Sequence, residues 1–287
     1  MKAPVPMVSH QARSISVNRP TLWSCWPRSL ALGWCLCAMG VAAQSNPFAG
    51  LFGAGALEIT YGLNQSNLSL WRGVVIDTKL EPTLDFKLET SRGFVSLQNG
   101  VGFWLSHSAA LKSGVSLNYM LGRHQSTDVH YQGLGDKSGS VDVYAFAEWQ
   151  PILDAVTLYA NAASTPAPVQ REFAQAGVTL GIPVLNQWNA FVDFNQTWGN
   201  APYWQTYYGV SAQQQAASMK AVFMPTSGGA LYQSKTLGGV YSVNKSTDLI
   251  LGLGTLEASQ RLMQSPLMGA RAQHTAVIMV NQKFISH

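Results

Sequence analysis

Apolar and polar residues alternate with a period of two along most of this chain, the spacing of a pleated strand with one face in oil and one in water. In EPTLDFKLET, Leu84, Phe86 and Leu88 alternate with Thr83, Asp85, Lys87 and Glu89. LKSGVSLNYML sets Leu111, Val115, Leu117, Tyr119 and Leu121 against Lys112, Ser116 and Asn118. VDVYAFAEW places Val141, Val143, Ala145, Ala147 and Trp149 opposite Asp142, Tyr144 and Glu148. NAFVDFNQTW separates Ala190, Val192, Phe194 and Trp198 from Asn189, Asp193, Asn195 and Thr197. A soluble β-sandwich shares this alternation. The apolar faces here are rich in Ala and Gly, the other faces carry carboxylates, and aromatics recur at strand ends. That combination predicts an all-β, antiparallel transmembrane β-barrel with lipid outside and a polar interior.

Connection lengths give a second reading. From the C-terminus backward the connections fall near 258–272, 243–247, 199–229, 183–187, 162–170, 150–153, 122–140 and 105–112. Long and short alternate, as expected where outer loops are long and periplasmic turns tight. The stretch LSLWRGVVIDTKLEPTLDFKLE reads either as one bent strand or as two. An even count with both termini in the periplasm selects two, hence about twelve strands, with ten as the fallback. The final strand, HTAVIMVNQKF, presents Ala276, Ile278, Val280 and Phe284 on one face and ends on an aromatic. It resembles the signal read by the barrel-assembly machinery, although Gln282 interrupts the apolar series and Ile285, Ser286 and His287 follow.

The first 43 residues follow a different logic. Lys2, Arg13, Arg19 and Arg28 precede an apolar run from Leu30 to Gly40 and the small residues Val41, Ala42 and Ala43, with no acid among them. This predicts a signal peptide (1–43) cleaved after Ala43, with residues 44–287 forming the barrel. The run is well short of the ~20 residues of a spanning helix. Without the leader, 14 Lys+Arg balance 14 Asp+Glu, so the basic balance of the whole chain disappears and no nucleic-acid surface is expected. Cys25, Cys35 and Cys37 all lie in the leader, which removes disulfides and thiolate chemistry from the exported part.

Catalytic patterns are weak. His124, Asp128 and His130 sit close together in GRHQSTDVHYQGLGD, a spacing that could hold a metal but more often marks a solvated loop. His107 lies between Ser106 and Ser108, yet adjacent residues point apart, which disfavours a Ser/His dyad. Asp142, Glu148 and Asp193 read as lumen carboxylates paired with Lys112 or Arg residues rather than as acid/base catalysts. No catalytic, cofactor or metal residue is therefore assigned. FGAGALEITYG and LGLGTLE are not followed by helices, so their glycines read as sites of close packing rather than phosphate cradles.

Three loop motifs carry a resemblance. Gly122 and Arg123, followed by Gly133, Leu134, Gly135 and Asp136, are similar to the GR…GLGD segment of the MipA/OmpV outer-membrane family. YWQTYYGVSAQQQAAS, with Tyr207, Tyr208, Gly209, Val210 and Ser211, resembles that family's tyrosine signature. Ser265 and Pro266 stand where the family has its Ser-Pro loop before the closing strand. The resemblance implies a non-enzymatic protein of the cell outer membrane. In its best-known branch the family acts as a scaffold joining a lytic transglycosylase to a penicillin-binding protein in murein growth. Other branches imply a narrow small-solute channel or a surface adhesin. The expected partners are outer-membrane lipid, those periplasmic murein enzymes and the barrel-assembly machinery. A scaffold of this topology would meet its enzymes with the turns near 105–112, 149–154, 183–187 and 243–247. Residues 207–218 fall in the longest outer connection, which reads either as a short helix folded over or into the mouth or as an extended strand end with a polar tip; the Gln/Ala run favours the helix, with Tyr207 and Tyr208 anchoring it near the membrane interface.

Overall fold

Because successive side chains on a strand point to opposite faces, each alternating segment can line a lumen with one row and contact lipid with the other. Twelve antiparallel strands do so: β1 Gly55–Leu68, β2 Val75–Thr90, β3 Gly93–Ser96, β4 Gly100–His107, β5 Leu111–Met120, β6 Ser140–Ile152, β7 Val156–Ser164, β8 Glu172–Leu185, β9 Trp188–Gly199, β10 Gly229–Asn244, β11 Thr247–Ala258 and β12 Ala272–Ile285. The structure, a computed structural model, describes residues 55–285 except 69–74, 98, 121–123, 127–130, 154 and 186. Each strand pairs with its neighbour in the chain, and β12 closes the sheet on β1. Among the described residues no helix is long and apolar enough to cross a membrane. The barrel crosses with its strands, which satisfy their backbone groups against one another.

Register confirms the two faces. Leu57 lies opposite both Phe284 and Leu88, and Tyr61 opposite both Val280 and Leu84, so the apolar rows continue across the closing seam. Leu117 stands opposite Val101 and Val143, and Leu237 opposite Val192 and Leu253. These rows face outward and are widely exposed, as a lipid-contacting band must be. Gln282 sits on that outward row, where its Oε1 accepts a hydrogen bond from the Thr247 hydroxyl at 2.9 Å. The amide that breaks the apolar series is thereby satisfied by the neighbouring strand.

The twelve strands divide the chain differently from expectation in one place. Leu68 ends β1, and Val75–Thr90 is a single strand, so the stretch read as two strands supplies only one complete strand. The even count is completed by β3, four residues long. The periplasmic turns are also tighter than expected: β4 runs on to His107, leaving 108–110 as the turn, and 245–246 joins β10 to β11. The residues expected to form the signal peptide, Ser286 and His287 lie outside the described residues.

Inside, polar groups pair between nearby strands of the wall. Asp193 accepts hydrogen bonds from the Tyr159 hydroxyl at 3.0 Å and the Thr179 hydroxyl at 2.7 Å. Gln175 bridges Asn161 and Asn195. Lys283 meets Asp248 at 2.9 Å, and the Ser242 hydroxyl donates to the same carboxylate. Lys87 and Lys112 converge on Glu89 at 2.6 and 3.8 Å. Lys112 lies opposite Glu148 in the β5–β6 register. On the β3 to β6 side, the rings of Phe94, Trp104 and Phe146 pack together with centroids 4.7 to 5.7 Å apart. These contacts lace nearby strands along the inner wall.

Candidate functional site: an outer cap and a periplasmic rim

The longest connection, 200–228, builds two helices over the outer mouth. Helix α1, Ala201–Tyr208, starts at Asn200, whose Oδ1 accepts the Tyr203 N–H at 2.9 Å, with proline admitted in its first turn. Four-residue spacing brings Tyr203 against Tyr207 at 4.7 Å and aligns Trp204 with Tyr208. Trp204 and Tyr208 are 0% exposed, packed with Leu231, Tyr232, Ala258 and Leu262. The Arg261 guanidinium lies 5.0 Å over the Trp204 ring while donating to the Gly228 and Ser227 carbonyls. Tyr208 is therefore a core residue of the cap, not an interfacial anchor. Tyr207 is half-buried, with Arg171 stacked 5.5 Å from its ring.

Helix α2, Ala212–Ser218, is the Gln/Ala helix expected from the sequence. Ser211 caps it reciprocally: its hydroxyl accepts the Gln214 N–H, and the Gln214 side chain accepts the Ser211 N–H. The other end of the Gln214 amide donates to the Leu134 carbonyl at 2.6 Å, tying α2 to the connection between β5 and β6. Gly209 closes α1 by donating to the Gln205 carbonyl, and Val210 forms a two-bond bridge with Phe223.

The sequence motifs converge here although they are distant in the chain. Tyr131, Leu134, Val210 and Leu267, drawn from three connections, form one buried cluster. Gly133 has φ +78°, and a Cβ there would lie 2.5 Å from the Ala217 carbonyl oxygen, so only glycine fits under the end of α2. Ser265 is buried, and its hydroxyl donates to the Tyr208 carbonyl at 2.7 Å; Pro266 follows in the same loop. Asp136 accepts the Gln125 N–H at 2.8 Å and contacts His124 Nδ1 at 3.1 Å. Gly135 lies in the same turn with φ +72°. Gly122, Arg123, Asp128 and His130 lie outside the described residues. A cleft of about 720 Å³ with mixed polar and apolar walls opens between Gly133 to Lys137, Gln205, Thr206 and α2. Sequence reading missed α1 and Arg261; Asn200 followed by Pro202 was the available signal for the helix.

The opposite rim is built of tight turns laced to their neighbours. Tyr241 donates to Gln187 Oε1 at 2.8 Å, the Ser242 N–H donates to the Gln187 carbonyl, and the Lys283 N–H donates to the Ser246 carbonyl at 2.7 Å. His107 stacks on Trp104 at 4.6 Å, while the Ser106 and Ser108 hydroxyls both donate to the Leu111 carbonyl, so no Ser/His pair is assembled. Asp142 accepts from Thr165 at 2.6 Å and from Ser140, and Arg171 donates to Ser140 at 2.6 Å. Asp142 and Asp193, expected to pair with Lys112 or arginines, are instead held by hydroxyl and amide donors of the wall, and Lys112 turns to Glu89.

The family model for MltA-interacting protein MipA matches residues 62–284, from β1 to the end of β12. The chain belongs to the MipA family. A closed barrel with an apolar exterior in this family is a protein of the outer membrane. No curated protein matches the chain. Among solved structures it is similar to the NanC porin (8% identity, 80% of this chain and 100% of that one, TM-score 0.39). It is also similar to the outer membrane channel DcaP of Acinetobacter baumannii (10%, 80% and 96%, TM-score 0.36). The third is an anion-selective porin from Comamonas acidovorans (8%, 80% and 98%, TM-score 0.37).

Proposed function

We propose that this barrel is a non-enzymatic scaffold that docks periplasmic murein enzymes, a lytic transglycosylase first and a penicillin-binding protein with it. The observation that carries the reading is the match over residues 62–284 to a family described by its interaction with MltA. The structure is compatible with it in two ways. The long, elaborated connections cover the outer mouth, and the described turns of the rim facing the periplasm are short and hydrogen-bonded to their neighbours, a surface that loses little entropy on docking. The docking turns are 108–110, 153–155, 186–187 and 245–246. Export of residues 44–287 after cleavage behind Ala43, and delivery through the C-terminal strand to the barrel-assembly machinery, belong to the same proposal. Photo-crosslinkers placed at Ser108, Gln187 and Lys245 in intact cells test it. Capture of a murein hydrolase or synthase supports the scaffold; capture of neither, with the barrel correctly inserted, rejects it.

The polar lumen favours a second reading, a narrow small-solute channel. Planar-bilayer recordings separate the two, because a pure scaffold with its capped mouth gives no steady conductance steps.

A further inference from the structure

Three connections that are far apart in the chain meet in the outer cap and leave a cleft between them. One wall is the turn Gly133 to Lys137 between β5 and β6; the other is α2 with Gln205 and Thr206 of α1. Val169 of the β7–β8 connection and Met224 also line it. Its volume of about 720 Å³ falls in the range that holds a small molecule, roughly 300–1,000 Å³.

Walls that already stand when a ligand arrives cost it less on binding, and these are tied to one another. The Gln214 side chain accepts the Ser211 N–H and donates to the Leu134 carbonyl, so one amide pins α2 to the facing turn. Gly133 fits under the end of α2, where a Cβ would meet the Ala217 carbonyl oxygen at 2.5 Å. The two-bond bridge between Val210 and Phe223 joins the entry of α2 to the segment that follows it. Gly135 has the opposite property: its φ is +72°, and a Cβ built there meets nothing within 4 Å. Gly135 lines the cleft, so its bare backbone lets a ligand come directly against the chain.

The groups that the wall offers are neutral and work in both directions. Among the described residues no hydrogen bond engages the Thr206 hydroxyl or the Gln213 amide. Gln205 donates through Nε2 to the Pro225 carbonyl at 2.8 Å, which leaves its Oε1 to accept. A hydroxyl and a carboxamide each donate and accept, which matches the N–H and C=O of a peptide group. Asp136 and Lys137 bring one charge of each sign, so the wall favours no strongly charged ligand. Leu134, Val169, Pro202 and Met224 supply aliphatic surface, and among the described residues of the wall no aromatic ring offers a face for stacking. We propose that this cleft is a binding site for short uncharged peptides at the outer face, with Thr206 and Gln213 pairing to the peptide groups and the aliphatic surface taking a side chain. The proposal does not depend on the scaffold reading, since it concerns the outer cap and not the periplasmic rim.

Calorimetric titration of the full barrel in detergent micelles tests it, with N-acetyl-Ala-Leu-Ala-amide as the peptide and maltotriose as a neutral saccharide of similar size. Two variants separate the site from the fold. Gln213→Trp fills the cleft from an exposed position on α2, and Thr206→Val removes one hydroxyl with little change of shape. Heat-modifiable migration and limited proteolysis of 200–228 first establish that barrel and cap are intact in both. The peptide is expected to bind with millimolar or better affinity. Gln213→Trp should weaken it about tenfold or more, and Thr206→Val several-fold. Maltotriose should bind at least about tenfold more weakly than the peptide. Absence of peptide binding overturns the proposal. So does an affinity unchanged in both variants, which places binding elsewhere, or a maltotriose affinity equal to the peptide's, which makes the cleft a saccharide site.

Discussion

The Ser265 hydroxyl donates to the Tyr208 carbonyl at 2.7 Å in a buried contact that ties the connection before β12 to the last turn of α1. Removing the donor leaves a buried carbonyl without its partner, at a cost of about 1–3 kcal/mol. Ser265→Ala is expected to loosen the cap while leaving the barrel closed. Limited proteolysis should cut 200–228 and 259–271 faster, with heat-modifiable migration of the barrel unchanged; unchanged cutting would show that this bond does not hold the cap.

Gly133 and Gly135 separate backbone strain from steric exclusion. Both have positive φ, but a Cβ at Gly133 meets the Ala217 carbonyl, whereas at Gly135 nothing lies within 4 Å. Gly135→Ala should cost about 1 kcal/mol of strain. Gly133→Ala should cost more, because α2 must also shift. Hydrogen exchange across residues 211–218 measures the difference, and equal effects of the two substitutions would refute the packing of α2 on this turn.

Lys283 and Asp248 pair at 2.9 Å just inside the seam, with the aspartate side chain largely covered. Lys283→Met strands that carboxylate and should lower stability by about 1–2 kcal/mol, between the values for exposed and buried pairs. Adding Asp248→Asn should return most of the loss. Urea unfolding of the reconstituted barrel reads both, and an additive double variant would mean that the two groups are not coupled.

Trp204 is the largest fully buried side chain of the cap. Trp204→Ala removes a ring whose loss from a packed site costs about 3–5 kcal/mol, enough to unseat α1 locally. Bilayer recordings should then show conductance absent from the parent protein. A silent variant with a proteolytically open cap would mean that the lumen network, not the cap, blocks passage.

The strands were legible because alternation is a local signal: Asp142, Tyr144 and Glu148 face the lumen as their spacing requires, and Phe284 lies on the outward row of the last strand, which runs one residue further to Ile285. Helix α2 was legible from its Gln/Ala run and Ser211. Helix α1 was not, since tyrosines and a tryptophan have no strong helix preference and acquire one here through burial against Leu231 and Leu262. The brevity of β3 was also hidden, because Gly93–Ser96 reads like any strand and its length is set by where its partners stop. The convergence of GLGD, YYGVS and Ser265 in one cap is tertiary information that the order of motifs along the chain does not contain.

The seam between β1 and β12 has a temporal meaning. Thr60 hydrogen-bonds Asn281 across 221 positions of sequence, so the wall cannot be finished until the last strand of the chain arrives. Closing so long a loop is the most entropically demanding step of the topology. Until then β1 must wait with its partner edge unsatisfied, while the hairpins between them and the cap that joins their outer ends are free to assemble. Connectivity alone makes closure of the wall the one contact that needs both ends of the chain.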